Sequence, residues 1–216
     1  MIDLHTHTLF SDGALLPAEL IQRAQASGYE AIALTDHVDE SNFDFVIPRI
    51  IAACEAANRT MTVRAIPGAE LTHVRPGSIA GLVRRCRDLG ARLIVVHGET
   101  LVEPVAEGTN LSAIQAGIDI LAHPGLISAE AAQLAARNNV CLEISARNGH
   151  SLANGHVVNM ARQTGARLVL NTDAHTPENL IPRAYALRIA LGAGLSADDY
   201  TTMLENSRGL ATQALR

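Results

Sequence analysis

Two histidines one residue apart, His5 and His7, stand within the first dozen residues, followed by Asp12 and Gly13. Side chains alternate faces along a strand, so an extended His-x-His leaves both imidazoles on one side, within reach of a single metal ion. The same spacing returns near the other end as Asp173-Ala174-His175, again after an apolar run. Between these pairs, acids and imidazoles recur where apolar stretches stop: Asp36 and His37, Glu70, His97, His123 and Glu143. Imidazole nitrogen and carboxylate oxygen both suit zinc or manganese. Burying so many of these groups close together without cations would crowd like charges and leave hydrogen bonds unmet. Metal ions resolve both problems. Six of the nine histidines belong to this set; His73, His150 and His156 read as surface, loop and helix-start residues.

These groups need elements that bring them together. Short apolar runs at residues 2–4, 31–37, 62–70, 93–97, 118–123, 140–145 and 167–171 read as strands. Helical patterns alternate with them: from Pro17 to Gly28, from Pro48 to Asn58, from a Ser78 cap to Gly90, and over residues 111–116. Further helices are expected from Ser128 to about residue 138, over residues 156–164, from Thr176-Pro177-Glu178, and from Ser196 onward. Gly90-Ala-Arg-Leu-Ile-Val and Gly165-Ala-Arg-Leu-Val-Leu read as one helix-to-strand junction used twice. Strand–helix alternation implies a parallel sheet with helices outside, and each strand delivers its polar group at its carboxyl end. In a closed parallel barrel those ends form one rim, where such folds place their active sites. No linker or composition shift divides the chain, so residues 1–216 are expected to form one domain.

Composition narrows the chemistry. Hydrophobic residues make up 48% and charged residues 18%, a core-forming balance rather than a disordered one. No apolar run reaches the roughly 20 residues of a membrane span, and no basic-then-apolar leader opens the chain, so a cytoplasmic protein is expected. Cys54, Cys86 and Cys141 fit no zinc-knuckle spacing and read as buried, unpaired thiols. A net charge of -5 and an aromatic content of 3% without tryptophan argue against long nucleic acids. All 17 cationic side chains are arginine, which excludes Schiff-base and lysine general-base chemistry. An anionic substrate must then be held by arginine, metal or backbone amides.

In order, His5-x-His7, Asp12, Thr35-Asp36-His37, Glu70, His97, His123-Pro124 and Asp173-x-His175 resemble the motifs of the polymerase and histidinol phosphatase (PHP) family, from residue 2 to about 180. The resemblance implies a distorted (β/α)7 TIM-like barrel with the active site at the carboxyl ends of the strands. It also implies two to three divalent metal ions (zinc, manganese or iron), a trinuclear centre when full, and hydrolysis of phosphate esters. Carried over by motif, His5, His7, Glu70 and Asp173 would hold a first ion. Glu70, His97 and His123 would hold a second, with Glu70 bridging, and Asp12, His37 and His175 a third. Some relatives carry histidine at the position of Asp12. Asp173, His175 and Glu70 are the residues expected to carry catalysis, with a water between two cations as nucleophile and water or a group near His175 protonating the leaving alkoxide. Arg147, following the sixth strand, is proposed as the phosphate clamp with Asn148 beside it; Asp36 is expected to orient a ligand by hydrogen bond, and Glu143 to support rather than ligate.

The leading expectation is a histidinol-phosphatase-like phosphomonoesterase acting on a small phosphorylated molecule. The alternatives are a phosphodiesterase or exonuclease acting on nucleotides or short oligonucleotides, a non-catalytic metal-binding interaction module of the kind attached to DNA polymerases, and amide or lactone hydrolysis on a related metal barrel. The expected partner is the small substrate, with no membrane and no longer nucleic acid; the oligomeric state is left open.

Overall fold

The computed structural model describes all 216 residues. Its strands are β1 (Ile2–Asp3), β2 (Ala31–Leu34), β3 (His37–Val38), β4 (Arg64–Leu71), β5 (Leu93–His97), β6 (Ile120–Ala122), β7 (Cys141–Ser145) and β8 (Leu168–Asn171). All pair in parallel, in the order β1-β2-β4-β5-β6-β7-β8. β2 pairs with residues 64–67 of β4, and β3 pairs with Glu70 and Leu71 of the same strand. The eight strands therefore make seven staves, one of them broken at Thr35 and Asp36. This is the α/β barrel expected from the alternating pattern.

The ring is nearly closed. A single bridge, Thr6 to Ala174, joins the ends of the first and last staves. Side chains seal the seam below it. Asn171 Oδ1 accepts from the Leu4 amide at 2.9 Å, and the Asp3 carboxylate accepts from the Thr172 amide (3.2 Å) and hydroxyl (2.5 Å).

The helices are α1 (Pro17–Ala26), α2 (Phe43–Thr60), α3 (Pro76–Asp88), α4 (Thr109–Gln115), α5 (Ala129–Asn138), α6 (Asn154–Thr164), α7 (Arg183–Gly192) and α8 (Ala197–Ala214). None is long and apolar enough to cross a membrane. α1 buries Pro17, Leu20, Ile21 and Ala24, one stripe of a 3.6-residue period. Ser128 caps α5 by accepting from the Ala131 amide, and Ser196 and Asp199 cap α8 reciprocally.

Three helix starts differ from the sequence reading. α2 begins at Phe43, five residues before Pro48. An internal proline costs about 3 kcal/mol, whereas Phe43, Val46, Ile47 and Ile50 are all buried at about 1.5–3 kcal/mol each, so packing outweighs the break. α3 begins at Pro76, whose missing amide suits the first helical position, rather than after Ser78. Thr176-Pro177-Glu178 opens only the 3-10 turn Pro177–Asn179, because Pro182 disfavours helical backbone at Ile181; the helix starts at Arg183.

The core has two layers. A cluster of 50 buried residues lies between the helices and the outer face of the sheet. A second cluster of 14 joins Ile66, Leu93, Val95, Ile120, Cys141 and Val169 to Leu210, Ala211 and Ala214 of α8. Those strand residues alternate, so they share the inner face, and α8 plugs the amino-terminal end of the barrel. Cys54, Cys86 and Cys141 are buried and unpaired.

Candidate active site

Following that inner face toward the carboxyl ends changes its chemistry. Two residues past Val95 comes His97; four past Ile66, Glu70; two past Cys141, Glu143; two past Val169, Asn171. Gly68, between Ile66 and Glu70, is obligatory, since a Cβ there would lie 2.8 Å from the Leu93 carbonyl oxygen. The barrel is thus apolar at one end and lined at the other with imidazoles and carboxylates that could bind metal.

The donors converge. Asp173 Oδ1 lies 3.2 Å from His7 Nε2 and 3.7 Å from His5 Nε2, and its Oδ2 lies 3.7 Å from His123 Nε2. Glu70 Oε1 is 3.3 Å from His5 Nε2 and 3.7 Å from His123 Nε2, while Oε2 is 2.6 Å from His37 Nδ1. Asp12 Oδ1 sits 3.1 Å from His175 Nε2 and 3.4 Å from His37 Nε2. The ligand atoms of His7, Asp12, His37 and His175 lie within 4.8 Å of one another, as do those of His5, His7 and Glu70, and those of His5, His123 and Asp173. His97 gathers with His123, as expected, and also with His150; Glu70 reaches this group through His123, while the carboxylate nearest His97 is that of Glu103, at 3.0 Å.

Supporting hydrogen bonds fix the rings. His5 Nδ1 donates to Glu143 Oε1 at 2.9 Å, which leaves Nε2 facing the cluster; Asn171 Nδ2 donates to the same oxygen, and the His123 amide to Oε2. Glu143 therefore braces two of the residues that could ligate a metal, His5 and His123. His97 Nδ1 donates to the Gly98 carbonyl, and Asn179 Oδ1 accepts from the His175 and Thr176 amides. Asp36 accepts from the Thr8 amide and the Thr8 and Ser11 hydroxyls, so it holds the turn between His7 and Asp12 rather than an imidazole. A Cβ at Gly13 would lie 2.4 Å from the His7 carbonyl oxygen, so only glycine lets that turn fold back. His123 (φ 28°) and Asp173 (φ 52°) adopt left-handed backbone, strain of the kind that collects at functional sites.

Burial and crowding spread the protonation behaviour of these groups. Burial opposes charge on His5, but Glu143, Glu70 and Asp173 outweigh it and hold its pKa well above the ordinary value. His37 rises to about 10, because Glu70 and Asp12 overcome its burial. Burial drives His7, His97 and His123 down, His7 and His123 furthest, and takes His150 to about 4. Burial raises Asp173, whereas Glu70, despite its burial, is held low by His5 and His37.

The cluster fits cations. His5 Nε2, both ring nitrogens of His7, Glu70 Oε1, His123 Nδ1 and His175 Nε2 are buried without a hydrogen-bond partner. Unpaired buried donors and acceptors are costly and rare, and five residues carrying them at one rim match the demands of divalent ions. Above them lies a cavity of about 230 Å³ with no apolar residue in its wall, bounded by Asp12, His37, His97, Asp173 and His175. Arg147 reaches this wall, half-buried, with Nη1 donating to the Asp173 carbonyl at 3.1 Å and touching His175. Asn148 is exposed and does not line the cavity. His73 is half-exposed at the mouth, and His156 Nε2 bonds the Ile127 carbonyl away from it. Glu103 and His150, which the sequence reading left out of the site, both face the cavity.

A parallel barrel with this rim defines the class of metal-dependent hydrolases built on TIM-like scaffolds. Residues 3–100 match the PHP domain family. Over 196 residues, 90% of each chain, the sequence is 47% identical to an uncharacterized protein of Methanocaldococcus jannaschii. The fold is similar to a chain in the cryo-EM structure of archaeal ribonuclease P with mature tRNA (TM-score 0.74, 18% identity, covering 99% of this chain and 91% of that one). It is also similar to the histidinol phosphate phosphatase of Lactococcus lactis, crystallised with zinc, L-histidinol and phosphate (TM-score 0.62, 16% identity, covering 95% and 93%). The chain belongs to the PHP domain family, whose enzymes are metal-dependent phosphoesterases.

Proposed function

We propose that this protein hydrolyses the phosphate monoester of a small molecule, in the manner of a histidinol phosphatase. The observation that carries the reading is the set of unpaired ring nitrogens and carboxylate oxygen buried beneath a small, wholly polar cavity. His5, His7, Glu70 and Asp173 would hold one divalent ion, His97 and His123 a second, and Asp12, His37 and His175 a third. Divalent cations bound there supply Lewis acidity, activating water near neutral pH and offsetting phosphate charge.

The side chains do the rest. Arg147 is the one arginine on the cavity wall, and its guanidinium clamps phosphate oxygens by charge-assisted hydrogen bonds. The cavity, about 230 Å³, is smaller than the roughly 300–1,000 Å³ of pockets for drug-sized ligands. It has room for a phosphoryl group with part of a small alcohol, which favours a small ester over a polymer. Glu143, Asn171 and Asn179 keep the imidazoles aimed while charge redistributes.

The test is a phosphorylated-metabolite screen on protein of measured metal content, repeated after chelation and after restoring zinc, manganese or iron. Release of inorganic phosphate that disappears on chelation and returns with one metal supports the reading. Release of nucleoside monophosphate from oligonucleotides instead would replace it with a phosphodiesterase, and metal-independent turnover would end it.

A further inference from the structure

Loop 98–108, between β5 and α4, is turned the wrong way for water. Leu101 and Val102 at its tip are about half-exposed, at 51% and 48%, whereas the charged Glu103 beside them is more covered, at 37%, with its carboxylate turned to the cavity. Solvation by itself would select the opposite arrangement. The inward carboxylate meets imidazoles: Oε2 lies 3.0 Å from His97 Nε2, and Oε1 lies 3.5 Å from His150 Nε2.

His150 is buried and prepared for the same point. Its Nδ1 shares a 2.7 Å hydrogen bond with the Thr100 hydroxyl, which directs Nε2 into the cavity, and its ring stacks on His123 at 4.0 Å. Metal-binding histidines are held in this way, through a hydrogen bond at the other ring nitrogen. The ligand atoms of His97, His123 and His150 lie within 4.8 Å of one another.

We propose that Glu103 and His150 are ligands of the cation held by His97 and His123, so that binding this ion fixes loop 98–108 in place over the mouth. The assignment rests on the metal-dependent reading above and adds two residues to it. Glu103 supplies the anionic oxygen that Glu70, engaged with His5 and His37, does not bring to His97. The exposed Leu101 and Val102 then become the outer edge of that lid, with Val102 beside Gly149 of the neighbouring loop.

The test is titration of metal-stripped protein with zinc and cobalt(II), with bound ions counted, the cobalt spectrum recorded, and amide exchange followed across residues 99–106. In the wild type, loading protects those amides. Glu103→Gln and His150→Gln each weaken one ion by at least about tenfold, change the cobalt spectrum and abolish the protection, while the other ions bind normally. Thr100→Val, which keeps both ligands but frees the imidazole, weakens the same ion by about ten- to hundredfold. Wild-type affinities and spectrum in both Glu103→Gln and His150→Gln overturn the assignment, as does unprotected loop exchange in loaded wild type. A wild type that takes up no ion overturns the metal-dependent reading itself.

Discussion

Asp173 shows how much of the site rests on single side chains. Its carboxylate faces His5, His7 and His123 from a strained backbone, and its carbonyl accepts from Arg147. Replacing Asp173 with Asn keeps the shape and removes the anion, so metal content should fall and turnover should drop by more than about a hundredfold, beyond the usual cost of losing a supporting hydrogen bond. Elemental analysis paired with phosphate release measures this, and a fully loaded, equally active variant would contradict it. Glu143 acts one step back, through His5 Nδ1 and the His123 amide. Glu143→Ala should weaken metal binding about ten- to hundredfold, read by competition with a chelating dye. Arg147 lines the cavity wall and reaches two expected ligands, Asp173 through its carbonyl and His175, but carries no atom that could itself bind a cation. Arg147→Ala should therefore raise KM well above its effect on metal content, and an unchanged KM would remove it from the phosphate site.

At the level of elements, the seam between the first and last staves is where side chains replace the missing ladder. Asn171 bonds the Leu4 amide and the Glu143 carboxylate, both fully buried. Asn171→Ala leaves the Leu4 amide unpaired, at about 1–3 kcal/mol, and removes one of the three hydrogen bonds that the Glu143 carboxylate accepts, a loss that denaturant unfolding would register. Gly13→Ala would push a methyl into the His7 carbonyl and open the turn carrying Asp12, so loss of stability and of the Asp12 ion should appear together. The strands were legible because each apolar run ends in a polar residue, a pattern that survives without knowledge of tertiary contacts. β3 was not, since Asp36-His37 reads as the tail of the preceding run until Asp36 is seen turning away to hold Thr8 and Ser11. The start of α2 was hidden because proline is a strong local signal, and only burial of Phe43 to Ile50 reveals that packing overrides it. Glu103 and His150 were invisible for a related reason. They sit in irregular loops, where spacing does not say which way a side chain points.

Across the whole molecule, the barrel keeps its reactive groups at one end and makes the rest inert. Burial pushes the thiols of Cys54 and Cys86 up to about 12 and that of Cys141 to about 11, from an ordinary 9.0. The folded values exceed the unfolded ones, so this contribution to stability is complete below pH 9 and is lost as pH rises through 11 to 12. The melting midpoint should therefore fall steeply between pH 9 and 11, and a thiol reagent at pH 8 should label none of the three until the protein is denatured. Labelling of the native protein would contradict the burial. If side chains from six of the seven staves share cations at one rim, anomalous X-ray diffraction from crystals saturated with manganese or zinc will locate those ions. Anomalous peaks are expected bonded to His5, His7, Glu70 and Asp173, to His97 and His123, and to Asp12, His37 and His175. A rim without peaks, or peaks bound elsewhere on the surface, would contradict it.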